Sequence, residues 1–276
     1  MVKLDRLGWA AGTCFDAYGV RVGVRVNKPE VLPQLASLFP PGSKPAAFPL
    51  VDQIYSVWLA EDRARARGFH LLYAGVSRRA RTTSLDEVLE AFAADLRLSV
   101  AAAAPRRTFV HAGVVGWRGR AIVLPGRSGS GKSTLVAALV RAGATYYSDE
   151  FAVIDERGRV HPFAKPLSIR DGTRIREQPA EELGGAVGTA SLPIGLIAFS
   201  TYRPEARRRL VSLSPGQGLL ALIPHTVPLR RRPRTSLATL QRVVEAAHIL
   251  RANRGEAETA AAWLLHQVEE TAKGAA

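Results

Sequence analysis

The stretch GRSGSGKS, residues 126 to 133, decides the fold of this 276-residue chain. It matches the pattern G-x-x-x-x-G-K-[ST], in which a glycine-rich turn leads from a strand into a helix. The apolar run AIVLP precedes the turn as a strand, and STLVAALVRAG follows it as an amphipathic helix. Gly126 and Gly131 permit backbone conformations that bring N–H groups close to an anion at the start of that helix. The stretch therefore predicts a loop that binds polyphosphate.

The residues of this loop have expected roles that follow from their chemistry. Lys132 would neutralise the β- and γ-phosphates of a nucleotide, and the Ser133 hydroxyl would ligate Mg²⁺. We therefore expect ATP and Mg²⁺ as the ligands of the loop. The residues expected to line the nucleotide are Gly126, Ser128, Gly129, Ser130, Gly131, Lys132, Ser133 and Thr134.

A second stretch, GATYYSDEFAVI at 143 to 154, sets Asp149 and Glu150 side by side in a run of apolar strand-forming residues. Buried carboxylates are costly unless they are paired or hold a cation. This strand follows the helix of the loop directly, so we expect it next to the strand that precedes the loop, with its carboxyl end at the same crevice. There, one carboxylate would hold Mg²⁺ and the other would accept the proton of an attacking hydroxyl. In the alternative, both are solvated turn residues.

Two other classes of nucleotide-binding protein do not fit the chain. The stretch LSPGQG at 213 to 218 is similar to the signature of ABC-type ATPases, but the sequence that follows, LLALIPHTVPLRRRPR, contains no acid. GTPases of the Ras kind read guanine with Asn-Lys-x-Asp, and this motif is absent from the sequence. Both classes are therefore excluded.

Three motifs in order resemble the HPr kinase/phosphorylase family: FVHAGVV at 109 to 115, the glycine-rich loop, and the strand that ends in Ser-Asp-Glu. The closer resemblance is to the HPr-kinase-like kinases of bacterial peptide-tailoring clusters, such as lasso-peptide kinases. VHPFAKPLSIR at 160 to 170 is also similar to theirs, so the resemblance covers about residues 108 to 202. It implies an α/β fold, with a P-loop kinase domain of the HPr kinase/PEP carboxykinase type that has a mixed sheet and flanking helices.

The resemblance also implies roles for the residues in these motifs. Asp149 would be the general base for the acceptor hydroxyl, and Glu150 with Ser133 would hold Mg²⁺. His111 would lie near the phosphates and orient either Asp149 or the transferring group. Together with Lys132, these residues form the expected catalytic and metal-binding set.

Lys165 and Arg170 follow on the next predicted strand. They would contact the γ-phosphate or an acidic acceptor, or else lie on a solvated edge. The sequence lacks the Glu-Arg-Gly-rich signature that accompanies recognition of HPr, so HPr itself is not the expected acceptor.

The first hundred residues are predicted to form a separate α+β domain. Pro105 ends a helix that begins with a Ser84–Glu87 capping box, and we place the domain boundary there. Residues 1–104 would recognise the acceptor, and residues 105–276 would form the kinase domain.

Periodicity along the whole chain predicts the secondary structure. The predicted strands are 18–26, 51–60, 69–75, 108–117, 121–126, 144–154, 160–170 and 196–202. The predicted helices are 84–104, 132–143, 234–253 and 257–273, and a Gly-rich loop is predicted at 183–195.

The composition of the chain indicates its cellular compartment and the kinds of partner it could bind. The 38 Lys and Arg residues against 24 Asp and Glu give a net charge of +14, which either attracts anions or reflects an arginine-rich background. The single cysteine, Cys14, and the lack of a secretory signal or a long apolar run predict a cytoplasmic protein without membrane association. The basic runs 203–210 and 228–236 lack interleaved aromatic residues, so we expect solvated loops or a docked acidic peptide rather than nucleic acid.

The sequence therefore predicts an Mg²⁺-ATP-dependent kinase that phosphorylates a hydroxyl, first of all a Ser in a small precursor peptide or protein. One alternative is a small-molecule or glycan kinase of the same fold. Another is a regulatory module that binds nucleotide without transferring phosphate. An acid at position 149 favours catalysis, because a nucleotide sensor needs no base. HPr kinase is an oligomer, so the resemblance makes an oligomer possible for this chain as well. The sequence itself does not show the oligomeric state.

Overall fold

The computed structural model describes residues 2–47, 50–60, 68–127, 129–171, 174–204 and 209–273. The chain divides into two compact units, Met1–Arg106 and Arg107–Ala276, which we name the N-terminal unit and the C-terminal unit. The predicted boundary after residue 104 lies close to this division. None of the helices in the described part of the chain is both long and apolar enough to cross a membrane.

The N-terminal unit is a sheet covered by one long helix. Within the described residues the strand order is β3-β1-β2-β4-β5-β6, and α3 packs against β5 and β6. The predicted strands at 18–26, 51–60 and 69–75 are confirmed as β2, β4 and β5, while β1, β3 and β6 were not predicted. The elements are α1 Val2–Asp5, β1 Ala11–Ala17, β2 Val20–Val26, α2 Leu32–Ser37, β3 Lys44–Pro45, β4 Gln53–Trp58, β5 His70–Ala74, β6 Ser77–Thr82 and α3 Leu85–Ala103.

The predicted capping of α3 is confirmed in part. The Ser84 side chain accepts a hydrogen bond from the Glu87 N–H at 3.3 Å, as in a capping box. The Glu87 carboxylate, however, accepts from the Thr82 hydroxyl at 2.5 Å, and the same hydroxyl oxygen accepts from the Ser84 N–H at 3.1 Å. Thr82 thus links the two ends of the motif, and this holds the start of α3 against the end of β6.

The C-terminal unit has mixed α/β architecture, which confirms the α/β class. Its elements follow the chain as β7 Arg107–Trp117, β8 Arg120–Pro125, α4 Lys132–Arg141, β9 Thr145–Ser148, β10 Phe151–Asp155, β11 Arg159–His161, β12 Leu167–Asp171, β13 Arg174–Gln178, β14 Leu192–Tyr202, β15 Arg209–Ser212, α5 Pro215–Leu222, α6 Pro233–Ala246, β16 His248–Arg254 and α7 Ala257–Lys273. Short 3-10 helices lie at Ala180–Leu183, Ile223–His225 and Val227–Arg230.

One mixed sheet forms the middle layer of this unit. Its order among the described residues is β11-β10-β7-β8-β14-β16-β15, with β9 also paired to β7. Strands β8, β14 and β16 run parallel, whereas β7 and β15 run antiparallel to their neighbours. One apolar cluster joins the sheet to α4 and α7, and a second joins it to α5 and α6. Both faces of the sheet are therefore covered, which explains its near-continuous apolar strands.

The predicted helix at 234–253 is wrong at its C-terminal end. Helix α6 ends at Ala246, and residues 248–254 form β16, a strand between β14 and β15. Ile249 and Leu250 are both buried, one in each of the two apolar clusters. The sequence pattern is compatible with a helix, but burial on both faces of a sheet requires adjacent apolar residues, and tertiary packing decided the outcome.

The predicted position of the strand that carries Asp149 is also wrong. We expected this strand beside the strand that leads into the loop, but β7 lies between them, and both β9 and β10 pair with β7 in antiparallel fashion. The predicted strand 144–154 is divided into β9 and β10 by a bend at 149–150, and the predicted strand 160–170 is divided into β11 and β12. Pro162 and Pro166 lie between β11 and β12, where proline cannot donate to a ladder.

A glycine in β7 lets α4 approach the sheet closely. A Cβ on Gly113 would lie 2.5 Å from Cγ2 of Val136 in α4. Val136 is fully buried, so its side chain has little room to move aside. Gly113 thus determines how close the first turn of α4 comes to β7 and β9.

The substitution Gly113→Ala is expected to lower the free energy of unfolding by about 1–3 kcal/mol, because the added methyl group overpacks this contact. Urea denaturation measures the effect. Gly216→Ala in α5 is the matched control, since a Cβ there meets nothing within 4 Å; it is expected to be neutral or stabilising by up to about 1 kcal/mol. Equal stability of Gly113→Ala and the parent protein would contradict the close approach of α4.

Candidate functional site

The phosphate loop, defined as residues 126–131, joins β8 to α4. Its first N–H, from Gly126, donates to the His111 carbonyl at 3.2 Å, which ties the loop to β7. Gly129 and Gly131 have φ values of +78° and +79°, where other residues are strained. A Cβ on Gly126 would lie 2.8 Å from Oγ of Ser130, so the loop closes on itself. The glycines of the motif are thus required by backbone geometry.

Lys132 begins α4 and reaches back over the phosphate loop. Its ammonium donates to the Arg127 carbonyl at 2.7 Å. Burial lowers the pKa of Lys132, whereas the negative charges of Asp149 and Glu150 raise it. The positive charge of Lys132 and the positive end of α4 therefore meet at one point, which suits an anion.

Two histidines lie near the Lys132 ammonium. His111 belongs to β7, and His225 is brought beside this strand because the next residue, Thr226, bridges to Val110. Burial lowers the pKa of both histidines, and the charge of Lys132 lowers it further. Both imidazoles are consequently neutral at pH 7. They add hydrogen-bonding groups near the loop without adding charge.

A bend between β9 and β10 takes the two carboxylates out of the ladder. The Ser148 hydroxyl oxygen accepts from the N–H groups of Glu150 at 3.1 Å and Phe151 at 3.0 Å, which turns the backbone sharply. The register of β9 against β7 also skips Tyr147, which forms a bulge. Asp149 and Glu150 are therefore bend residues, but the bend is not a solvated turn, because Asp149 is only 6% exposed.

Asp149 is held by four donors. Its Oδ2 accepts from the Ser133 hydroxyl at 3.2 Å and from the Ser168 N–H at 2.9 Å. Its Oδ1 lies 3.1 Å from the Lys165 ammonium and 3.3 Å from the Tyr146 hydroxyl, which is also 2.8 Å from the Lys165 carbonyl. The single proton of the Tyr146 hydroxyl is shared between the Lys165 carbonyl and Asp149, and the other three donors engage both carboxylate oxygens. This satisfaction is what allows a carboxylate to be buried here.

Lys165 does not lie on a solvated edge, because its side chain is only 16% exposed and lies beside Asp149 and Glu150. Its ammonium lies 3.1 Å from Asp149 Oδ1 and 3.8 Å from Glu150 Oε2, and it donates to the Ser168 hydroxyl at 3.1 Å. The segment that carries it is tied to β9 by the Phe163 N–H, which donates to the Tyr147 carbonyl at 3.0 Å. One positive charge is therefore placed beside two carboxylates.

The donor set fits Mg²⁺. The Ser133 hydroxyl and the carboxylates of Asp149 and Glu150 are oxygen ligands, the kind that Mg²⁺ prefers. Within the described residues, no group of three or more His, Cys, Asp or Glu side chains is gathered to hold a metal ion. Mg²⁺ at nucleotide sites needs no such group, because phosphates and waters complete its shell. The Lys165 ammonium already lies beside both carboxylates, so a bound Mg²⁺ would share them with this lysine.

The structure brings most of the predicted site residues together. Lys132, Ser133, Asp149 and Glu150 surround the start of α4, and the charge of Lys132 reaches His111. The expectation that Thr134 and Ser128 line the nucleotide stays a prediction. Thr134 is exposed on the first turn of α4, and Ser128 lies outside the described residues, as does the side chain of Arg170.

Sequence reasoning missed three contributors to the site. Tyr146 read as an apolar strand residue, and only the fold reveals that its hydroxyl reaches Asp149. Burial and the charge of Asp149 raise the pKa of Tyr146, so the phenol stays protonated. Ser168 contributes its backbone N–H, which leaves no signal in a sequence. His225 stands in no motif of the sequence, and its place beside β7 depends on the Thr226 bridge.

The substitution Lys165→Met is expected to lower the free energy of unfolding by about 3 kcal/mol, because it leaves the buried Asp149 carboxylate without its cation. Asp149→Asn should also destabilise, whereas the double variant should recover part of the loss. Urea denaturation of the four proteins gives the coupling energy. If the double variant lost the sum of the two single-variant losses in unfolding free energy, the coupling energy would be zero and the ion pair would be contradicted.

No protein-family model matches the chain, and a search of curated proteins finds no match. The chemistry assigned to the site therefore rests on the motifs and on the contacts described above. Those contacts join a glycine loop at a helix N-terminus, a lysine over that loop, and two carboxylates at the first helical turn.

Proposed function

We propose that the C-terminal unit is an Mg²⁺-ATP-dependent kinase that phosphorylates a hydroxyl, first of all a Ser in a small precursor peptide or protein. The observation that carries this proposal is the 3.2 Å contact between Ser133 Oγ and Asp149 Oδ2. In P-loop NTPases, the Ser or Thr of the loop and an Asp from another strand hold the Mg²⁺ of the nucleotide together. The resemblance of the motifs to HPr-kinase-like kinases supports the same activity and the finer fold type.

The groups of the chain would act by positioning and by charge. The N–H groups of the phosphate loop and the positive end of α4 would surround the phosphates. The Lys132 ammonium would exchange the Arg127 carbonyl, 2.7 Å away, for phosphate oxygens. Neutral His111 would donate or accept a hydrogen bond near the transferring group without placing a second charge beside Lys132.

When bound, Mg²⁺ neutralises charge on the phosphates during transfer. Ser133 and one of the two carboxylates would hold this ion, and the other carboxylate would act on the acceptor. The acceptor oxygen forms a bond to the γ-phosphorus while the bond from that phosphorus to the bridging oxygen of ADP breaks. The proton of the acceptor hydroxyl passes to the carboxylate that serves as base.

The two carboxylates can divide these tasks in two ways. The motif resemblance assigns the base to Asp149 and the metal to Glu150. The contacts favour the exchanged assignment, because four donors engage Asp149 and one of them is the Ser133 hydroxyl. The Glu150 side chain is also more accessible to an acceptor, at 24% exposed against 2% for Asp149. Matched substitutions separate the two assignments.

The N-terminal unit is proposed to select the acceptor. Strand β6 is the outermost strand of its sheet among the described residues, and it presents the exposed side chains of Arg78 and Arg81. A cationic edge strand suits an extended acidic peptide, which would add to the sheet through its backbone. A small-molecule or glycan kinase remains the alternative within the same chemistry.

The regulatory module is the second candidate, and one observation favours it. Asp149, to which the motif resemblance assigns the base, is buried and contacts Ser133, Lys165 and the Ser168 N–H, so an acceptor hydroxyl would have little access to it. A module that only binds nucleotide would need Lys132 and Ser133 but no base. Transfer assays separate this candidate from a kinase.

The decisive experiment combines the protein with Mg²⁺-ATP and a panel of Ser-containing acidic peptides, and follows peptide mass and ADP release. One phosphate is expected on a peptide, and Lys132→Ala should abolish the gain. With Asp149 on the metal, Asp149→Asn raises the Mg²⁺ concentration required. With Glu150 as base, Glu150→Gln lowers the transfer rate by about 10²–10⁴ at an unchanged Mg²⁺ requirement. The opposite pattern assigns the base to Asp149.

Glu156→Gln is the matched control for Glu150→Gln, because Glu156 is an exposed residue of the turn between β10 and β11. Its transfer rate should equal that of the parent protein. Nucleotide binding without transfer to any peptide, sugar or small hydroxyl compound, unaffected by Asp149→Asn and Glu150→Gln, would refute the kinase and support the regulatory module.

A further inference from the structure

Tyr202 and Arg254 end two parallel strands close to the phosphate loop. They are direct partners in the register of β14 and β16, and β14 is itself paired with β8, which leads into the loop. The carboxyl ends of these three strands lie at one edge of the sheet, where α/β proteins bind ligands. β14 and β16 lie on one side of β8, and β7, which carries β9 and β10, lies on the other.

Arg254 is a buried cation beside the phosphate loop. It is 3% exposed, its Nη2 donates to the Gly131 carbonyl at 3.0 Å, and its Nη1 donates to the Gly255 carbonyl at 3.2 Å. Its Nε is buried without a hydrogen-bond partner. Burial lowers the pKa of Arg254, whereas the nearby Tyr202 and Glu256 raise it. The guanidinium therefore links the end of β16 to the last residue of the phosphate loop and to the Tyr202 ring.

Tyr202 presents an open aromatic surface above this cation. The residue is 45% exposed, although the guanidinium carbon of Arg254 lies 5.3 Å from the ring centroid. The Tyr202 hydroxyl donates to Glu256 Oε1 at 3.3 Å, which helps to fix the ring. An exposed aromatic ring held in one orientation is the usual stacking surface for a nucleobase.

The two sides of the loop set the direction of a bound nucleotide. The carboxylates that would hold Mg²⁺ follow β9, on the β7 side of the loop. These residues would hold the Mg²⁺ that accompanies the phosphates of a nucleotide, so the terminal phosphates would lie on this side. The nucleoside end then extends toward β14 and β16, where Tyr202 and Arg254 lie.

We propose that Tyr202 and Arg254 form the nucleoside subsite of the phosphate loop. The base stacks on the Tyr202 ring, and Arg254 acts as a positioning residue that supports this ring and the Gly131 carbonyl together. This inference rests on the proposed function in one respect, since it takes the loop to bind a nucleotide. It adds the part of the site that separates a nucleotide from a plain polyphosphate.

Calorimetric titrations with Mg²⁺ present compare ATP, ADP and inorganic tripolyphosphate as ligands. Tyr202→Ala is expected to weaken binding of ATP and ADP about tenfold and to change tripolyphosphate binding less than twofold. Tyr202→Phe keeps the ring and should keep the preference for ATP. Leu220→Ala, at a 69% exposed position on α5, is the control for loss of a large exposed side chain and should bind all three ligands as the parent protein does.

Arg254→Lys tests the positioning role, because it keeps the charge and removes the forked contact. The ratio of ATP affinity to tripolyphosphate affinity is expected to fall. An equal loss for both ligands would overturn this role, since a purely structural effect on the loop lowers both alike.

The remaining outcomes separate this inference from the proposed function. Equal affinity of the parent protein for ATP and tripolyphosphate would overturn the nucleoside subsite and leave the phosphate loop intact. Unchanged ATP affinity in Tyr202→Ala would overturn the stacking role of the ring. Failure of the parent protein to bind either ligand would refute the proposed function itself, and the subsite with it.

Discussion

The buried carboxylate of Asp149 is the constraint on which the rest of the C-terminal unit depends. A charge at this depth is tolerated only when donors surround it, and here they come from four places: α4, β9, the segment before β12 and the first residues of β12. Each donor fixes the element that carries it. The bend after Ser148, the position of Lys165 and the close approach of α4 permitted by Gly113 all bring these donors to the one carboxylate.

The charged and aromatic groups of the site also follow a spatial order around the phosphate loop. Cationic and hydrogen-bonding groups gather at the loop, carboxylates lie on the β7 side, and an exposed ring above a buried guanidinium lies on the β14 and β16 side. The phosphate loop lies between the two sides because β8 lies between β7 and β14 in the sheet. The nucleotide of the proposed function, with an anionic, metal-binding end and an aromatic end, would match this order. Sheet topology thus places the separate motifs around one loop.

Particular residues show how far the sequence predicted the site. The loop glycines, Lys132 and Ser133 were identified because their spacing is short and each residue type has a local physical reason. Asp149 and Glu150 were recognised as a pair because carboxylates in an apolar run need a partner. Arg254 was missed for a different reason: the preceding residues have the apolar spacing of a helix, and only their burial between two strands makes them β16.

The sequence by itself determined the α/β class, the glycine loop between strand and helix, and the pair of acids, since these follow from local periodicity, backbone freedom and the cost of buried charge. Only the tertiary structure decided that β7 separates β9 from β8, that Lys165 lies beside the two carboxylates, and that Tyr202 and Arg254 meet beside the loop. These outcomes depend on strand order and on the register of distant segments. Such long-range pairings are chosen by the packing of the whole unit, which no local pattern records.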